Sequence, residues 1–337
     1  MRPFVYERAQ AVPDALKVFP AAGGAPTSAP AQFLAGGTTL LDLMKIDVMR
    51  PEIVVDINPL ERTPMGRIEA AAGGLRLGAL ARMTAAAEHP VITRDYPVIA
   101  QSLQLAASQQ LRNMASLGGN VLQRTRCTYF RDVSYAACNK RNPGSGCAAL
   151  GGINRMHAIL GTSDQCIAAY PGDFAQALIA LDASVEIQGP KGSRGIPFAS
   201  LHRAPSDGPD VETTLAPGEM ITAFTIAPGP WRRSLYLKIR DRESYEFALA
   251  SAAVALDVQG GAVNDVRIAL GGVATVPWRA KEAEAVLRGK PLSDQTIRDA
   301  AEAAFAGAQT REHNAFKVDL GKRTLARALT QAARLEL

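Results

Sequence analysis

All four cysteines of this 337-residue chain, Cys127, Cys138, Cys147 and Cys166, fall in one window, and the rest of the chain has none. Chance scatter would not confine them so. The window is therefore a unit with its own cross-link or metal chemistry. Three readings stay open from the residues. Two disulfides suit an oxidising compartment, although a chain of this size does not need them. Structural zinc usually shows paired C-x2–4-C spacing, which this window lacks. Four thiolates also ligate an iron–sulfur cluster, which tolerates looser spacing. From Gln123 to Cys147 stand five basic residues, Arg124, Arg126, Arg131, Lys140 and Arg141, against the single acid Asp132. Such an excess of cations favours an anionic cluster and lowers thiol pKa values.

Two glycine turns precede this window. Gln32 to Ala35 reads as a strand ending at Gly36-Gly37, and Thr38 can cap a helix through Leu40, Leu41, Leu43 and Met44. Glycine lacks the Cβ that would hold a ligand away, so such a turn exposes backbone N–H groups to a phosphate. Ser116-Leu117-Gly118-Gly119-Asn120 offers a second cradle after a helix expected over Pro97 to Leu111. Two turns of this kind can grip both phosphates of a dinucleotide. No Walker A sequence is present, and the G-x-G-x-x-A match at Gly144 follows no buried strand. A Rossmann nicotinamide site is disfavoured.

The length argues for two or three packed units. Strand signals fall at Phe4 to Tyr6, Ile53 to Ile57, Leu75 to Leu80 and Ser184 to Gln188; helix signals fall at Ala11 to Phe19 and Asp173 to Leu181. A loop is expected at Ala21 to Ala31, and a break near Ile226-Ala227-Pro228-Gly229-Pro230. Beyond the break the pattern predicts strands at Ser234 to Arg240, Ala248 to Val258 and Val266 to Leu270. Helices are expected at Trp278 to Leu287, Asp294 to Ala306 and Thr324 to Ala333. This is an α+β chain divided near residue 228.

Net charge is +5, but no Lys/Arg block dominates, which disfavours a nucleic-acid partner. No run approaches a membrane span, and the charged N-terminus, Met1 to Arg8, is not a signal peptide. The four histidines are scattered without an H-E-x-x-H pair, so no catalytic metal or base is assigned to them.

Three separated motifs in order, A-G-G-T-T-L-L-D-L-M-K at 35–45, S-L-G-G-N at 116–120 and Y-L-K-I-R-D-R at 236–242, resemble the FAD-binding subunit of molybdenum hydroxylases, the xanthine dehydrogenase family. The segments Q-R-T-R-C-T-Y-F at 123–130 and C-N-K-R-N-P-G-S-G-C-A-A-L at 138–150 are similar to its periplasmic aldehyde oxidoreductase branch, whose flavin subunit carries a [4Fe-4S] cluster. The resemblance implies a vanillyl-alcohol-oxidase-type two-part FAD-binding domain over 1–228, with the cluster insert at about 123–167 and Cys127, Cys138, Cys147 and Cys166 as its ligands. A smaller C-terminal sheet-plus-helices domain would occupy 229–337. It implies that Phe33, Leu34, Ala35, Gly36, Gly37, Thr38, Thr39, Leu40 and Leu41 wrap the FAD pyrophosphate. Ser116, Gly119 and Asn120 would form the second wall, with Ser108 and Leu111 on the approach. Asp173 would be a polar flavin contact, although Gly172 stands where many relatives have Ser. Lys238 would lie near the isoalloxazine, where a cation stabilises a reduced, anionic flavin.

The implied role is electron transfer. A large molybdopterin-binding subunit would oxidise the aldehyde or heterocycle, a small subunit with two [2Fe-2S] clusters would pass electrons to FAD, and FAD would reduce a terminal acceptor. The resemblance also implies folded export beside a partner with a twin-arginine signal, the alternative being the cytoplasm. Two rival classes are a zinc- or disulfide-stapled binding module and a self-sufficient flavin oxidase.

Overall fold

The computed structural model describes residues 1–18 and 27–336. The end of the predicted helix at Phe19 and most of the Ala21 to Ala31 loop lie outside the described residues. The chain opens with β1 (Val5–Arg8), α1 (Val12–Lys17), β2 (Ala31–Leu34), α2 (Leu40–Lys45) and β3 (Ile53–Asp56). The three strands form a parallel sheet in the order β1-β3-β2. Two βα turns on such a sheet leave their loops at the C-terminal ends of the strands, where open α/β sheets take ligands.

A second, antiparallel sheet has the order β4-β5-β8-β6-β7. It consists of β4 (Ile68–Ala71), β5 (Gly74–Gly78), β6 (Ser184–Gly189), β7 (Gly192–Pro197) and β8 (Met220–Ile226). Between β5 and β6 the chain makes α3 (Met83–Ala87), α4 (Pro90–Asp95), α5 (Pro97–Gln104), α6 (Gln109–Met114), α7 (Leu117–Val121), α8 (Thr128–Arg131) and α9 (Phe174–Ala180). The single helix expected over Pro97 to Leu111 is two. Ala107 takes φ +47, a conformation no helix continues through, and Ser108 Oγ then caps α6 by accepting from Leu111 N at 3.3 Å.

The last third forms β9 (Ser234–Ile239), β10 (Ala250–Gln259), β11 (Ala262–Gly271) and β12 (Trp278–Arg279), in the order β12-β11-β10-β9. It is followed by α10 (Lys281–Leu287), α11 (Asp294–Phe305) and α12 (Phe316–Ala333). The predicted helix start at Trp278 is corrected: Trp278 and Arg279 pair with Leu270 and Ala269 as an edge strand. The predicted Thr324 start is also late, because α12 begins at Phe316. The strand β10 is buried on both faces. Ala253 and Ala255 join the core around Phe174 and Tyr236, while Val254 and Leu256 join the one beneath α11 and α12. Small side chains on one face let the helices of the N-terminal part sit close.

Candidate functional site

The turn after β2 lines a cavity of about 660 Å³, in the range of small-molecule sites (about 300–1,000 Å³). Phe33, Ala35, Gly36, Gly37, Thr38, Thr39 and Leu40 form one wall, and Ser116, Gly118, Gly119 and Leu122 another. Residues 211–221 complete it. Among the described residues, none accepts a hydrogen bond from the backbone N–H groups of Gly36, Gly37, Thr38 and Thr39. Four consecutive uncommitted donors at the rim of a cavity suit an anion. Asn58 Nδ2 steadies this turn by donating to Ala35 O at 3.0 Å.

The glycines serve the turn in a way the sequence reading did not foresee. A Cβ on Gly36 would lie 2.0 Å from Met114 O, so Gly36 lets the turn pack on the end of α6. Gly37 takes φ +73. The expected Thr38 cap is also corrected. The N-cap of α2 is Thr39, and it makes no side-chain cap bond. The second turn is differently committed. Leu117 N and Gly118 N donate to Ala81 O and Ala79 O, and Gly119 N donates to Ser116 Oγ at 3.2 Å. Ser116 and Gly119 reach the cavity wall, but this turn is bound to the strand end beneath it and offers few donors. Asn120 Oδ1 is buried and has no hydrogen-bond partner among the described residues.

Besides Asn120, six of the expected residues lie off that wall. Leu34 and Leu41 pack with Leu43, Met44 and Phe130 behind the turn. Ser108 and Leu111 form the α6 cap. Asp173 and Lys238 meet each other. Asp173 Oδ2 accepts from Lys238 Nζ at 2.8 Å, and Asp173 Oδ1 accepts from Tyr236 Oη at 2.6 Å, all buried. Lys238 Nζ also donates to Leu105 O at 3.1 Å. Burial, and then the Asp173 charge, push the Tyr236 hydroxyl well above its ordinary pKa. Asp173 stands at the N-cap of α9 but makes no side-chain cap bond there.

The four cysteines border one narrow cavity of about 10 Å³, and all are free thiols. Cys138 and Cys147 face each other across a tight loop closed by Asn139 N to Gly146 O at 2.8 Å and Ala148 N to Ala137 O at 2.9 Å. Glycines at 144 and 146 take φ +83 and +92 to turn it. Backbone N–H groups of Ala149, Leu150 and Ile167 face the Cys147 sulfur, and those of Tyr129 and Phe130 face Cys127. The Cys166 thiol donates to Cys147, which holds Cys147 down at about 6 and pushes Cys166 up. Burial pushes Cys127 up to about 12, and His157 Nε2 sits 3.1 Å from its sulfur. Among the described residues no group of three or more His, Cys, Asp or Glu is disposed around a single metal ion.

The five cations of this segment were expected to surround the thiols, and the structure commits each of them to an oxygen acceptor. Arg126 and Arg131 reach Asp42 on α2 at 3.0 and 2.7 Å. Arg141 donates to Tyr129 O and Phe130 O at 2.9 and 2.6 Å. Arg124 and Lys140 converge on Glu212 at 2.5 and 2.7 Å. Lys140 alone also favours the charged form of a cysteine, Cys166. Burial opposes ionisation of Glu212, but Arg124 and Lys140 outweigh it and hold the carboxyl at about 2. Arg124 and Glu212 both line the large cavity. Sequence reading missed this role for both: Arg124 was one of five basic residues, and Glu212 lies in a loop without periodicity.

Residues 2–228 match the family profile described as the FAD binding domain in molybdopterin dehydrogenase, and residues 235–332 match the CO dehydrogenase flavoprotein C-terminal domain. The chain is 45% identical over 334 residues to the aldehyde oxidoreductase FAD-binding subunit PaoB of Escherichia coli K12, covering 98% of this chain and 99% of that one. It is 25% identical over 298 residues to the glyceraldehyde dehydrogenase medium chain of Sulfolobus acidocaldarius, covering 88% and 85%. Among solved structures, a carbon monoxide dehydrogenase chain from Hydrogenophaga pseudoflava superimposes with a TM-score of 0.74 at 24% identity, covering 98% of each chain. No described helix is long and apolar enough to cross a membrane.

Proposed function

The chain belongs to the family of FAD-binding subunits of molybdenum hydroxylases, and on that premise we propose that it is the flavin subunit of an aldehyde oxidoreductase complex. The observation that carries this reading is the row of uncommitted N–H donors, Gly36 to Thr39, at the rim of the 660 Å³ cavity. A pyrophosphate is the group such a row accepts, and the cavity has the volume for the rest of a dinucleotide. Gly36 to Thr39 would hold the phosphates, with Ser116 and Gly119 closing the opposite side. When bound, FAD supplies a two-electron acceptor that takes electrons from a partner's [2Fe-2S] clusters and gives them to a terminal acceptor. Phe33, Leu40 and Leu122 exclude water from the cavity wall, and Lys238 with Asp173 fixes the seam between the two parts of the chain. The division at residue 228 belongs to the same reading.

The donor set around the cysteines suits a [4Fe-4S] cluster better than a single ion. Four free thiols share one cavity and are served by several backbone N–H groups, which stabilise cluster sulfur and thiolate alike. Cys127, Cys138, Cys147 and Cys166 would hold the cluster, and the thiols would have to part to admit it. When bound, it supplies a one-electron centre beside the flavin cavity. Four thiols ready for iron call for loading in a reducing compartment. We extend the proposal to a large molybdopterin-binding subunit and a small [2Fe-2S] subunit as partners, and to folded export beside a partner with a twin-arginine signal.

Anaerobic purification tests the reading directly. Absorbance at about 370 and 450 nm with extractable FAD is expected, together with iron and acid-labile sulfide. A colourless chain would overturn the flavin reading. Zinc, or the absence of iron and sulfide, would overturn the cluster reading alone. A high rate of aldehyde oxidation by the isolated chain would make it a self-sufficient oxidase.

A further inference from the structure

The wall of the large cavity contains a buried cation whose charge the protein does not balance. Arg124 is 6% exposed. Its Nε forms an ion pair with Glu212 Oε2 at 2.5 Å, but among the described residues none of Nε, Nη1 and Nη2 has a hydrogen-bond acceptor of good geometry. Lys140 Nζ meets the other carboxylate oxygen of Glu212 at 2.7 Å. Two cations therefore share one anion, and the group carries a net charge of about +1. The face of the Phe130 ring lies 4.9 Å from the guanidinium carbon and fixes its plane. Buried charges are paired or bind ions, and a guanidinium with both terminal nitrogens unmade carries a large desolvation cost.

We propose that Arg124 is a further ligand-anchoring residue of this cavity, donating Nη1 and Nη2 to the diphosphate of the bound dinucleotide. This rests on reading the cavity as the flavin site. The guanidinium fork matches two phosphate oxygens, and the Gly36 to Thr39 donors that line the same cavity select the same chemistry. Glu212 acts as the positioning residue. It orients Arg124 through Nε, and Lys140 of the cysteine loop neutralises Glu212 so that Arg124 keeps its charge for the ligand. Lys140, among the cysteines, thereby contributes to the flavin cavity without touching the flavin.

Calorimetric titration of the full chain stripped of flavin tests this, with ADP, adenosine and FAD as probes. Arg124→Gln should weaken ADP and FAD binding by about 10- to 100-fold and leave adenosine binding unchanged. Because that variant leaves Glu212 with Lys140 as its remaining cation, the double variant Arg124→Gln with Glu212→Gln is measured beside it. If Arg124 meets the diphosphate, the double variant stays weak. Wild-type affinity for ADP in either variant, or an equal loss for adenosine, would overturn the proposal. A wild-type chain that binds ADP but not FAD would keep the role of Arg124 and overturn the flavin reading. One that binds neither would overturn both.

Discussion

Lys238 on β9 donates to Asp173 at the head of α9 across 2.8 Å, joining the two parts of the chain by an ion pair whose side chains are 1% and 5% exposed. The sequence resemblance implied that each would meet a flavin separately. In the structure each is the other's partner, with Tyr236 completing the group at 2.6 Å.

Removing one member strands the other in a buried place. Asp173→Ala should cost about 3–5 kcal/mol, read as a fall in the urea midpoint. The double variant Asp173→Asn with Lys238→Met should recover most of that loss. Flavin retained by a folded double variant would show that the pair acts through the seam; flavin lost would show that it acts on the cofactor.

Gly36→Ala should damage the chain without touching a ligand. Its Cβ would sit 2.0 Å from Met114 O, and that backbone must give way. The expected cost is at least about 1–3 kcal/mol, with a lower ratio of bound flavin to protein. Gly73→Ala is the control, since nothing lies within 4 Å of its Cβ. Equal melting curves for the two variants would refute this account of Gly36.

Asp42, on the helix after the Gly36 to Thr39 turn, ties it to the cysteine segment through Arg126 and Arg131. Burial disfavours its charge, but the two arginines prevail and hold its carboxyl below the usual range. The stabilisation is therefore complete above the unfolded carboxyl pKa of about 4 and fades as pH falls through the lower folded value. The three side chains are 24–35% exposed, so Asp42→Asn should cost only about 1–2 kcal/mol at pH 7. The loss should shrink in acid, as thermal melts at pH 7 and pH 3 would reveal.

Lys317 is fully buried, with Nζ donating to Gly272 O at 2.7 Å. Burial, aided by Arg155 and opposed by Asp241, brings its pKa down to about 7. Between that value and about 10.4 the unfolded chain binds more protons than the native one. The cost of burying this amine is thus complete below about pH 7 and disappears as pH rises towards 10. Lys317→Met should be most favoured over the natural chain at pH 7 and progressively less at pH 8 and 9. A difference in urea midpoint that stays constant with pH would contradict this.

Much of the layout was legible because it rests on local chemistry. The Gly36-Gly37 turn follows from the positive φ that glycine tolerates at 37, and the strand at Ala248 to Val258 from its short apolar run. The convergence of the four cysteines was foreseeable from their confinement to one window. What escaped is non-local. Nothing in the sequence around Glu212 indicates that it meets Arg124 and Lys140, which lie 88 and 72 positions earlier. The helix expected through Ala107 failed because a left-handed alanine has no sequence signature. The Trp278 helix start failed because pairing with β11 outweighed local propensity.

The clamp between Asp42 and the arginines at 126 and 131 has a consequence for the order of events at the ribosome. The turn at Gly36 to Thr39 is synthesised first, yet its packing surface at Met114 and its tether at Arg126 and Arg131 emerge many residues later. Residues 211–221, which finish the cavity, come later still. Because a growing chain folds from its N-terminus, the Gly36 to Thr39 turn waits for its supports until Arg131 has been made, and for its cavity until Ile221. Capture of any ligand in this cavity therefore cannot precede synthesis of residues 211–221.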